Sequence, residues 1–322
     1  MLMRLIDFLT YFPDEDACKA KFKELRLKKG VVCPHCGCVH HYWKEDKGMF
    51  QCKQCGYRQS LKANTVLHGS HIPFRDWFIA MHLLTSTKHT FSASEMQRQL
   101  GRKRYQPVWE MMHKLRTVMG ERDSEYFLAY SVELDEAFFT TQIPKEKKGE
   151  HLSSGSGSER KAKVLVMAES APVEDPKKGQ KSKKVGHIKM LVIPDLKKDT
   201  LTEMAKENVH PKAFVTMDAS HAHSDIEKRF HSHVEKLLTQ QEIDKVLPWV
   251  HTVIANAKMQ LADTYHGMKE EFLQDYLNEF CYKFNRRYFG EGLFDRLLDI
   301  CSGYQNHFEH RVYNRNMYKE SA

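Results

Sequence analysis

The chain has 322 residues, of which 41% are hydrophobic and 29% charged, so it can bury a core and is long enough for two or three domains. Lys and Arg number 50 against 42 Asp and Glu, and the formal net charge of +8 permits a polyanionic partner. No apolar run reaches the ~20 residues that cross a bilayer, the N-terminus lacks a signal-peptide pattern, and eight cysteines are too few for a secreted disulfide scaffold. The composition therefore excludes these classes and predicts an intracellular, cytoplasmic protein.

Residues 1–62 are predicted to be a basic helix followed by a small zinc-binding module. Two Cys-x2-Cys turns, Cys33 with Cys36 and Cys52 with Cys55, are separated by 15 residues. Each turn presents two thiolates to one ion, and two turns on neighbouring hairpins form a tetrahedral zinc site. Because four protein ligands close such a site, the zinc is predicted to be structural; the alternatives are a redox-active pair or chance spacing. The other cysteines are predicted to be ordinary thiols, namely Cys18, Cys38, Cys281 and Cys301.

Residues 63–125 are predicted to form three helices, which begin after Pro73, at Ser92 and near Tyr105. The second helix, a turn that contains Gly101, and the third helix resemble a helix-turn-helix. The alternative is a plain helical bundle that links two domains. Several basic residues at the turn and on the two helices are predicted to meet DNA phosphates, namely Arg98, Arg102, Lys103, Arg104, His113, Lys114 and Arg116.

Residues 126–322 are predicted to form an α/β domain with C-terminal helices. The apolar residues recur at the period of strands and in short runs, which predicts strands at 129–139, 163–170, 187–194, 213–218 and 232–238. A helix is predicted before the fourth strand, at 201–208, and the chain after Pro248 is predicted to be helical to about residue 304, with a break at 290–292. Two polar excursions flank the second strand. They lie within residues 145–198, which hold 14 Lys and Arg against seven Asp and Glu and so contain nearly all of the positive excess.

Two acidic residues stand in apolar strands of this domain. Asp135 lies in the middle of the first predicted strand, and Asp218 lies at the end of the fourth. A carboxylate at such a position is costly unless it is paired or binds a cation. Oxygen ligands suit Mg²⁺, so the pair predicts metal-dependent phosphoryl chemistry, whereas a single Asp at a strand end is more commonly a turn cap. Glu133 shares a strand face with Asp135 and can be merely structural.

The order of these motifs resembles the transposases of the insertion-sequence-1595 family, which are bacterial DDE-type enzymes with an RNase H-like catalytic domain. The resemblance runs from about residue 13 to 288. It depends on the zinc ribbon, the helix-turn-helix-like segment and four sequence blocks: VELDEAFF, VTMDASHAHS, VHTVIANAKMQLADTYHG and YLNEFCYKFNRRYF. The family implies strand cleavage at transposon ends with two Mg²⁺ or Mn²⁺ ions, followed by attack of the 3′-hydroxyl on target DNA. Its first two acidic residues fall on Asp135 and Asp218.

The third position of the family pattern is filled differently in this chain. The family often has Glu there, with Lys seven residues later, and counting back from Lys258 places His251 at that position. Seven residues are almost two helical turns, so His251 and Lys258 share a face. Asn256 is the rival, since some relatives have Asn and an amide oxygen suits Mg²⁺ better than imidazole does. Arg286 and Arg287 are predicted either to contact DNA or to lie on a solvated helix face.

The resemblance implies double-stranded DNA as partner, a homo-oligomer that brings two transposon ends together, and association with the bacterial nucleoid. The basic excursions are predicted to clamp DNA phosphates beside the active site. Three alternatives remain: a DNA-binding regulator without enzymatic activity, an inactive or domesticated transposase, and another metal nuclease with the same fold, such as a resolvase.

Overall fold

The structure is a computed structural model and describes residues 3–143, 160–173, 183–218, 226, 230–235, 246–289 and 292–303. The chain divides into two compact units, one formed by Met1–Met119 with Tyr288–Ala322 and the other by Gly120–Arg287. The predicted basic excursions at 144–159 and 174–182 lie outside the described residues. In the described part of the chain, no helix is both long enough and apolar enough to cross a membrane.

The first unit begins with two helices, α1 (Leu5–Tyr11) and α2 (Glu15–Lys29). The side chain of Asp14 accepts a hydrogen bond from the Ala17 N–H (2.8 Å) and so caps α2. Gly30 has a positive φ of 86°, a conformation that favours glycine, and ends the predicted basic helix. The buried apolar residues of these helices are Phe8, Cys18 and Phe22.

The zinc-binding module is a small antiparallel sheet of three strands: β1 (His41–Lys44), β2 (Met49–Cys52) and β3 (Arg58–Ser60). Its inner face buries Phe50, whose ring contacts that of Trp43 at 4.8 Å between centroids. The sheet is too small to bury a large apolar core, so it depends on the cysteine cluster for stability.

Three helices follow, as predicted: α3 (Phe74–Ser86), α4 (Ala93–Gln99) and α5 (Tyr105–Ser124). The Ser92 hydroxyl accepts the Glu95 N–H (3.0 Å), which confirms the predicted start of α4. Gly101 has a φ of 62° in the turn between α4 and α5. α5 passes from the first unit into the second at Gly120.

The second unit is built on a five-stranded mixed sheet, with the spatial order β6-β5-β4-β7-β8. β4 pairs antiparallel with β5, which pairs antiparallel with β6, whereas β7 is parallel to both β4 and β8. This topology is RNase H-like and confirms the predicted fold class; each predicted strand is present. The bounds of the strands are Ser131–Thr140 for β4, Lys161–Pro172 for β5, Lys183–Ile193 for β6, Phe214–Asp218 for β7 and His231–Glu235 for β8.

Helices cover both faces of this sheet: α6 (Lys198–Asn208), α7 (Pro248–Thr264) and α8 (Glu270–Asn285). α6 buries Leu201 and Ala205 in a core that contains alternate residues of β4. α7 packs on the opposite face, against β4 and β5. The predicted continuous helix was wrong at 265–269, where Gly267, at a φ of 82°, forms a turn between α7 and α8.

The last helix, α9 (Gly292–Gly303), belongs to the first unit, whereas the sequence-based division grouped it with residues 126–322. It packs against α2 and α3. The ring of Phe294 contacts those of Phe8 and Phe12, at 5.7 and 5.6 Å between centroids. The C-terminal helix therefore completes the apolar core of the N-terminal unit.

Candidate active site

The candidate active site lies on the face of β4 that α7 covers. Asp135 is in the middle of β4, and its side chain keeps 20% of its exposure. One carboxylate oxygen, Oδ1, accepts the backbone N–H of Glu136 (2.8 Å). The other, Oδ2, lies 3.4 Å from Nε2 of His251, whose side chain is 30% exposed. Asp135 thus meets one of the two residues predicted for the third position, in a place that remains open to solvent.

The N-terminus of α7 is tied to β4 by Glu133. The carboxylate oxygen Oε2 of Glu133 accepts the N–H groups of both Trp249 and Val250, each at 2.8 Å. Glu133 is 5% exposed, and strand alternation places its side chain on the same face as that of Asp135. The sequence pattern did not predict this role of Glu133. The only signal for it in the sequence was the Glu-x-Asp spacing of VELDEAFF.

Asp218 is the last residue of β7, the strand that pairs in parallel with the first residues of β4. The pairing runs from Ser131 with Phe214 to Glu133 with Thr216. Asp135 and Asp218 each lie two residues beyond this last pair, on neighbouring strands that run in the same direction. The side chain of Asp218 lies outside the described part of the structure.

His251 and Lys258 lie along one side of α7, whereas Asn256 points elsewhere. Lys258 is exposed, and its ammonium group is 5.9 Å from the ring centre of Phe139, which follows Asp135 on the same face of β4. At 100° per residue, Asn256 is about 140° around the helix from His251. The structure thus brings His251, and by helix geometry not Asn256, to Asp135.

The described donors fit a divalent cation. A carboxylate oxygen and an imidazole nitrogen that are 3.4 Å apart and partly exposed match two adjacent ligands of an ion, since octahedral ligands at ~2.1 Å lie ~3 Å apart. Carboxylate oxygens suit Mg²⁺ and Mn²⁺, and imidazole suits transition metals better than Mg²⁺. The donor chemistry is therefore compatible with either ion and fits Mn²⁺ at least as well.

The four predicted zinc ligands form one cluster. Their sulfur atoms all lie within 4.8 Å of one another, and the pairs Cys33–Cys55 and Cys36–Cys52 are each 3.6 Å apart. Sulfur atoms at ~2.3 Å from a tetrahedral zinc would be ~3.8 Å apart, so the cluster fits this ion. Hydrogen bonds from the backbone of Cys55 and Gln54 lower the pKa of the Cys52 thiol to about 6, which favours the thiolate. The zinc is structural, because the protein fills all four positions.

The basic residues predicted to meet DNA divide into exposed and buried groups. Arg98, Arg102, Lys103 and Arg104 are exposed; Arg98 pairs with Glu95 and Arg102 with Asp76. The prediction was wrong for three further donors of α5, because burial removes them from solvent: His113, Lys114 and Arg116. Lys114 donates to the carbonyl of His68 (2.7 Å) and Arg116 to that of Phe91 (2.8 Å), so both hold loops in place.

The two arginines after α8 also make internal contacts. Arg286 is 5% exposed, forms an ion pair with Asp123 at 2.5 Å, and lies 3.9 Å from the ring centre of Tyr282. Arg287 donates to the carbonyls of Phe284 (2.7 Å) and Val185 (2.6 Å). For Arg286, this burial contradicts both the predicted DNA contact and a solvated helix face, and its role is structural.

Comparison with known proteins finds matches to two protein-family profiles. The ISXO2-like transposase domain matches residues 127–285, and the transposase zinc-ribbon domain matches residues 13–58. Among solved structures, a pre-cleavage Mos1 transpososome is 14% identical, with 72% of this chain and 80% of that chain covered and a TM-score of 0.29. A mariner Mos1 paired-end complex with Mg is 13% identical, with the same coverage and a TM-score of 0.28. No curated protein matches the chain in sequence.

Proposed function

Because this chain belongs to the insertion-sequence-1595 family of ISXO2-like transposases, we propose that it is an active, metal-dependent DNA transposase. In this proposal it binds the terminal inverted repeats of a bacterial insertion sequence, cleaves DNA strands and joins the freed 3′-hydroxyl ends to target DNA. The observation that carries the proposal is the approach of His251 to Asp135 on the face of the RNase H-like sheet, beside the strand that ends at Asp218.

Asp135, Asp218 and His251 would hold the catalytic cations, either Mg²⁺ or Mn²⁺. When bound, such ions polarise the phosphoryl group and make a water or hydroxyl a better nucleophile near neutral pH. The pairing of β4 with β7 brings together the two strands that carry the aspartates, and α7 carries the imidazole; both observations support this assignment. Lys258, exposed on the same side of α7, would contact a DNA phosphate and orient the strand.

We assign the third position to His251 in preference to Asn256. The support is the 3.4 Å separation of the imidazole from Asp135 and the divergent direction of Asn256 on the helix. A histidine in this place also favours Mn²⁺ as an effective ion, because imidazole is a better ligand for it than for Mg²⁺.

DNA binding is proposed for the zinc ribbon and for the turn between α4 and α5. The exposed cations Lys103 and Arg104 at that turn are suitable phosphate contacts. Cleavage and joining of two transposon ends need both ends in one complex, so we propose that the active form is a homo-oligomer.

The test is Asp135→Asn, assayed for nicking and strand transfer on the cognate terminal repeats with Mg²⁺ or Mn²⁺. Loss of a metal-binding carboxylate should reduce cleavage by at least about 100-fold, while the gel shift with the same DNA stays unchanged. Glu136→Gln, on the next residue and the opposite face of β4, should cleave like the wild type. Cleavage retained in Asp135→Asn would overturn the site; DNA binding without any wild-type cleavage would instead indicate a domesticated transposase.

A further inference from the structure

The start of α7 lacks the usual local cap. Its N-cap residue, Leu247, offers no side-chain hydrogen bond, and Pro248 in the first turn has no N–H to satisfy. The N–H of His251 reaches the carbonyl of Leu247 at 3.4 Å. The remaining donors of the first turn are the N–H groups of Trp249 and Val250, and both donate to Glu133. A residue of β4 therefore caps this helix from outside it.

Both parts of this cap, the Glu133 side chain on β4 and the first turn of α7, lie next to residues of the candidate active site. Glu133 and Asp135 are two residues apart on one face of β4, and His251 directly follows Val250 in α7. The strand and the helix are consequently joined twice within a few residues, once by Glu133 and once by the pair of Asp135 and His251. A negative charge at a helix N-terminus is also favourable to the helix dipole, which strengthens the first of these joints.

We propose that Glu133 is a positioning residue: its carboxylate holds the N-terminus of α7 on β4 and so sets the His251 imidazole against Asp135. This inference rests on the proposed function, because it gives His251 its place beside the metal-binding aspartates. Groups that orient metal ligands without touching the ion commonly change metal affinity by about 10- to 100-fold when removed. A carboxylate that only stabilised the fold would lower the melting temperature and leave metal affinity unchanged.

Two measurements on the full chain test this inference. Calorimetry without DNA gives the affinity for Mn²⁺. Peptide mass spectrometry gives the rate at which diethyl pyrocarbonate modifies His251 in the absence of metal. Glu133→Ala should weaken Mn²⁺ affinity by about 10- to 100-fold. It should also speed the modification of His251, because the imidazole would no longer be held against Asp135. Glu133→Gln should stay close to the wild type, because an amide oxygen can accept the same two N–H groups. If Glu133→Ala does not fold, Glu133→Asp, with its shorter reach, should show the same changes to a smaller degree.

Glu169 supplies the matched control. It is a similarly buried glutamate in the same sheet, and it accepts the backbone N–H groups of Ala129 (2.9 Å) and His187 (3.1 Å). Glu169→Ala should lower the melting temperature without changing Mn²⁺ affinity or His251 reactivity. Equal behaviour of the Glu133 and Glu169 variants in both assays would overturn the inference. A wild-type chain that fails to bind Mn²⁺ would reject the proposed metal site, and His251 reactivity would still decide the role of Glu133.

Discussion

His251 and Asn256 belong to the same helix, and the direction in which each side chain points decides whether it can reach Asp135. His251 directly follows the first turn of α7, which is hydrogen-bonded to Glu133, and its imidazole lies 3.4 Å from Asp135. Asn256 directly precedes the buried Ala257 and lies about 140° around the helix from His251. A ligand must be held near the ion before its intrinsic preference for that ion matters. The proposed assignment of the third position to His251 therefore gives geometry more weight than the better oxygen chemistry of the amide.

The prediction at this scale compares His251→Ala with Asn256→Ala. We expect His251→Ala to slow single-turnover cleavage by about 100-fold or more, because several kcal/mol of transition-state stabilisation depend on an intact metal site. Asn256→Ala should change the rate by less than about tenfold. Both rates are measured on pre-nicked and intact terminal repeats with Mn²⁺. An Asn256→Ala rate as low as that of His251→Ala would show that the helix turns differently in the DNA complex.

Individual residues differ in how far the sequence could predict them. Asp135 could be proposed as a site residue because an acid inside an apolar strand needs a partner, and His251 because the family pattern places its third residue seven positions before Lys258. The role of Glu133 could not, because its partners are 116 and 117 residues later in the chain. The same applies to Arg116: residue type suggested a DNA contact, and only the tertiary structure shows that it is buried.

At the scale of single elements, the fold of the zinc ribbon is the one that depends on a bound ion. Its three strands have three or four residues each, and the sulfur atoms of its four cysteines lie within 4.8 Å of one another. We predict that Cys36→Ser loses the zinc and the fold of the ribbon, since structural zinc contributes directly to folding free energy. Cys38→Ser, two residues away and outside the cluster, should keep about one zinc per chain. Metal content by atomic absorption checks both; full zinc in Cys36→Ser would contradict the assignment.

The edge strand of the large sheet, β6, is capped by side chains of α8. Asn285 accepts the N–H of Ile188 (2.7 Å) and donates to its carbonyl (3.0 Å). Gln274 accepts the N–H of Val192 (2.8 Å) and donates to the carbonyl of Met190 (3.0 Å). The amides thus replace a neighbouring strand. An uncovered edge would expose unpaired backbone groups to other chains, and α8 prevents this at three alternate residues.

Two further residues complete the stripe of α8 that faces β6. Cys281 accepts the N–H of Met190, and burial raises its pKa, so it stays a neutral thiol. Asn278 accepts a hydrogen bond from Gln274 (2.8 Å) and lies so close to Gly120 of α5 that a Cβ at that glycine would clash. Residues 274, 278, 281 and 285 recur at helical spacing. Within the block YLNEFCYKFNRR, Asn285 and Cys281 therefore contact the backbone of β6 directly, and Asn278 contacts Gln274, which does the same.

We predict that Asn285→Ala destabilises the second unit by at least about 2 kcal/mol, because it leaves the N–H and the carbonyl of Ile188 without these partners. Glu270→Ala, at the exposed first turn of α8, should change stability by less than about 0.5 kcal/mol. Urea unfolding gives the free energies, and hydrogen exchange should show faster exchange at Ile188 only in Asn285→Ala. Unchanged stability of Asn285→Ala would mean that water replaces the amide at no cost.

The elements themselves were well predicted, and their pairing was less so. The period of the apolar residues indicated each strand of the large sheet, and SASE indicated the start of α4. The turn at 265–269 was missed because the apolar pattern continues across it and Gly267 alone marked it. The attachment of α9 to the first unit depends on contacts with Phe8 and Phe12, almost 300 residues earlier, which no local pattern contains.

Over the whole molecule, the excess of positive charge is concentrated in one stretch of the sequence. Residues 145–198 hold 14 Lys and Arg against seven Asp and Glu, a large part of the net +8 of the chain. In the N-terminal helix α2, by contrast, lysines pair with acids: Lys19 with Asp16, and Lys21 with Glu24. Paired surface charges contribute little to attraction at a distance, whereas an unbalanced cluster attracts polyanions and makes binding depend on salt. The location of the excess supports the proposal that the second unit contributes to DNA binding.

The last prediction tests that excess. Replacing Lys177, Lys178 and Lys181 with Gln should reduce the slope of log affinity against log salt for DNA by up to about three, because each lysine that neutralises a phosphate contributes about 0.9. The matched control replaces Lys19, Lys21 and Lys23, which pair with acids, and should leave the slope nearly unchanged. Fluorescence anisotropy with one duplex over a range of salt concentrations measures both slopes. Equal slopes for the first variant and the wild type would show that these lysines are solvated in the complex, and the positive excess would then serve solubility rather than DNA binding.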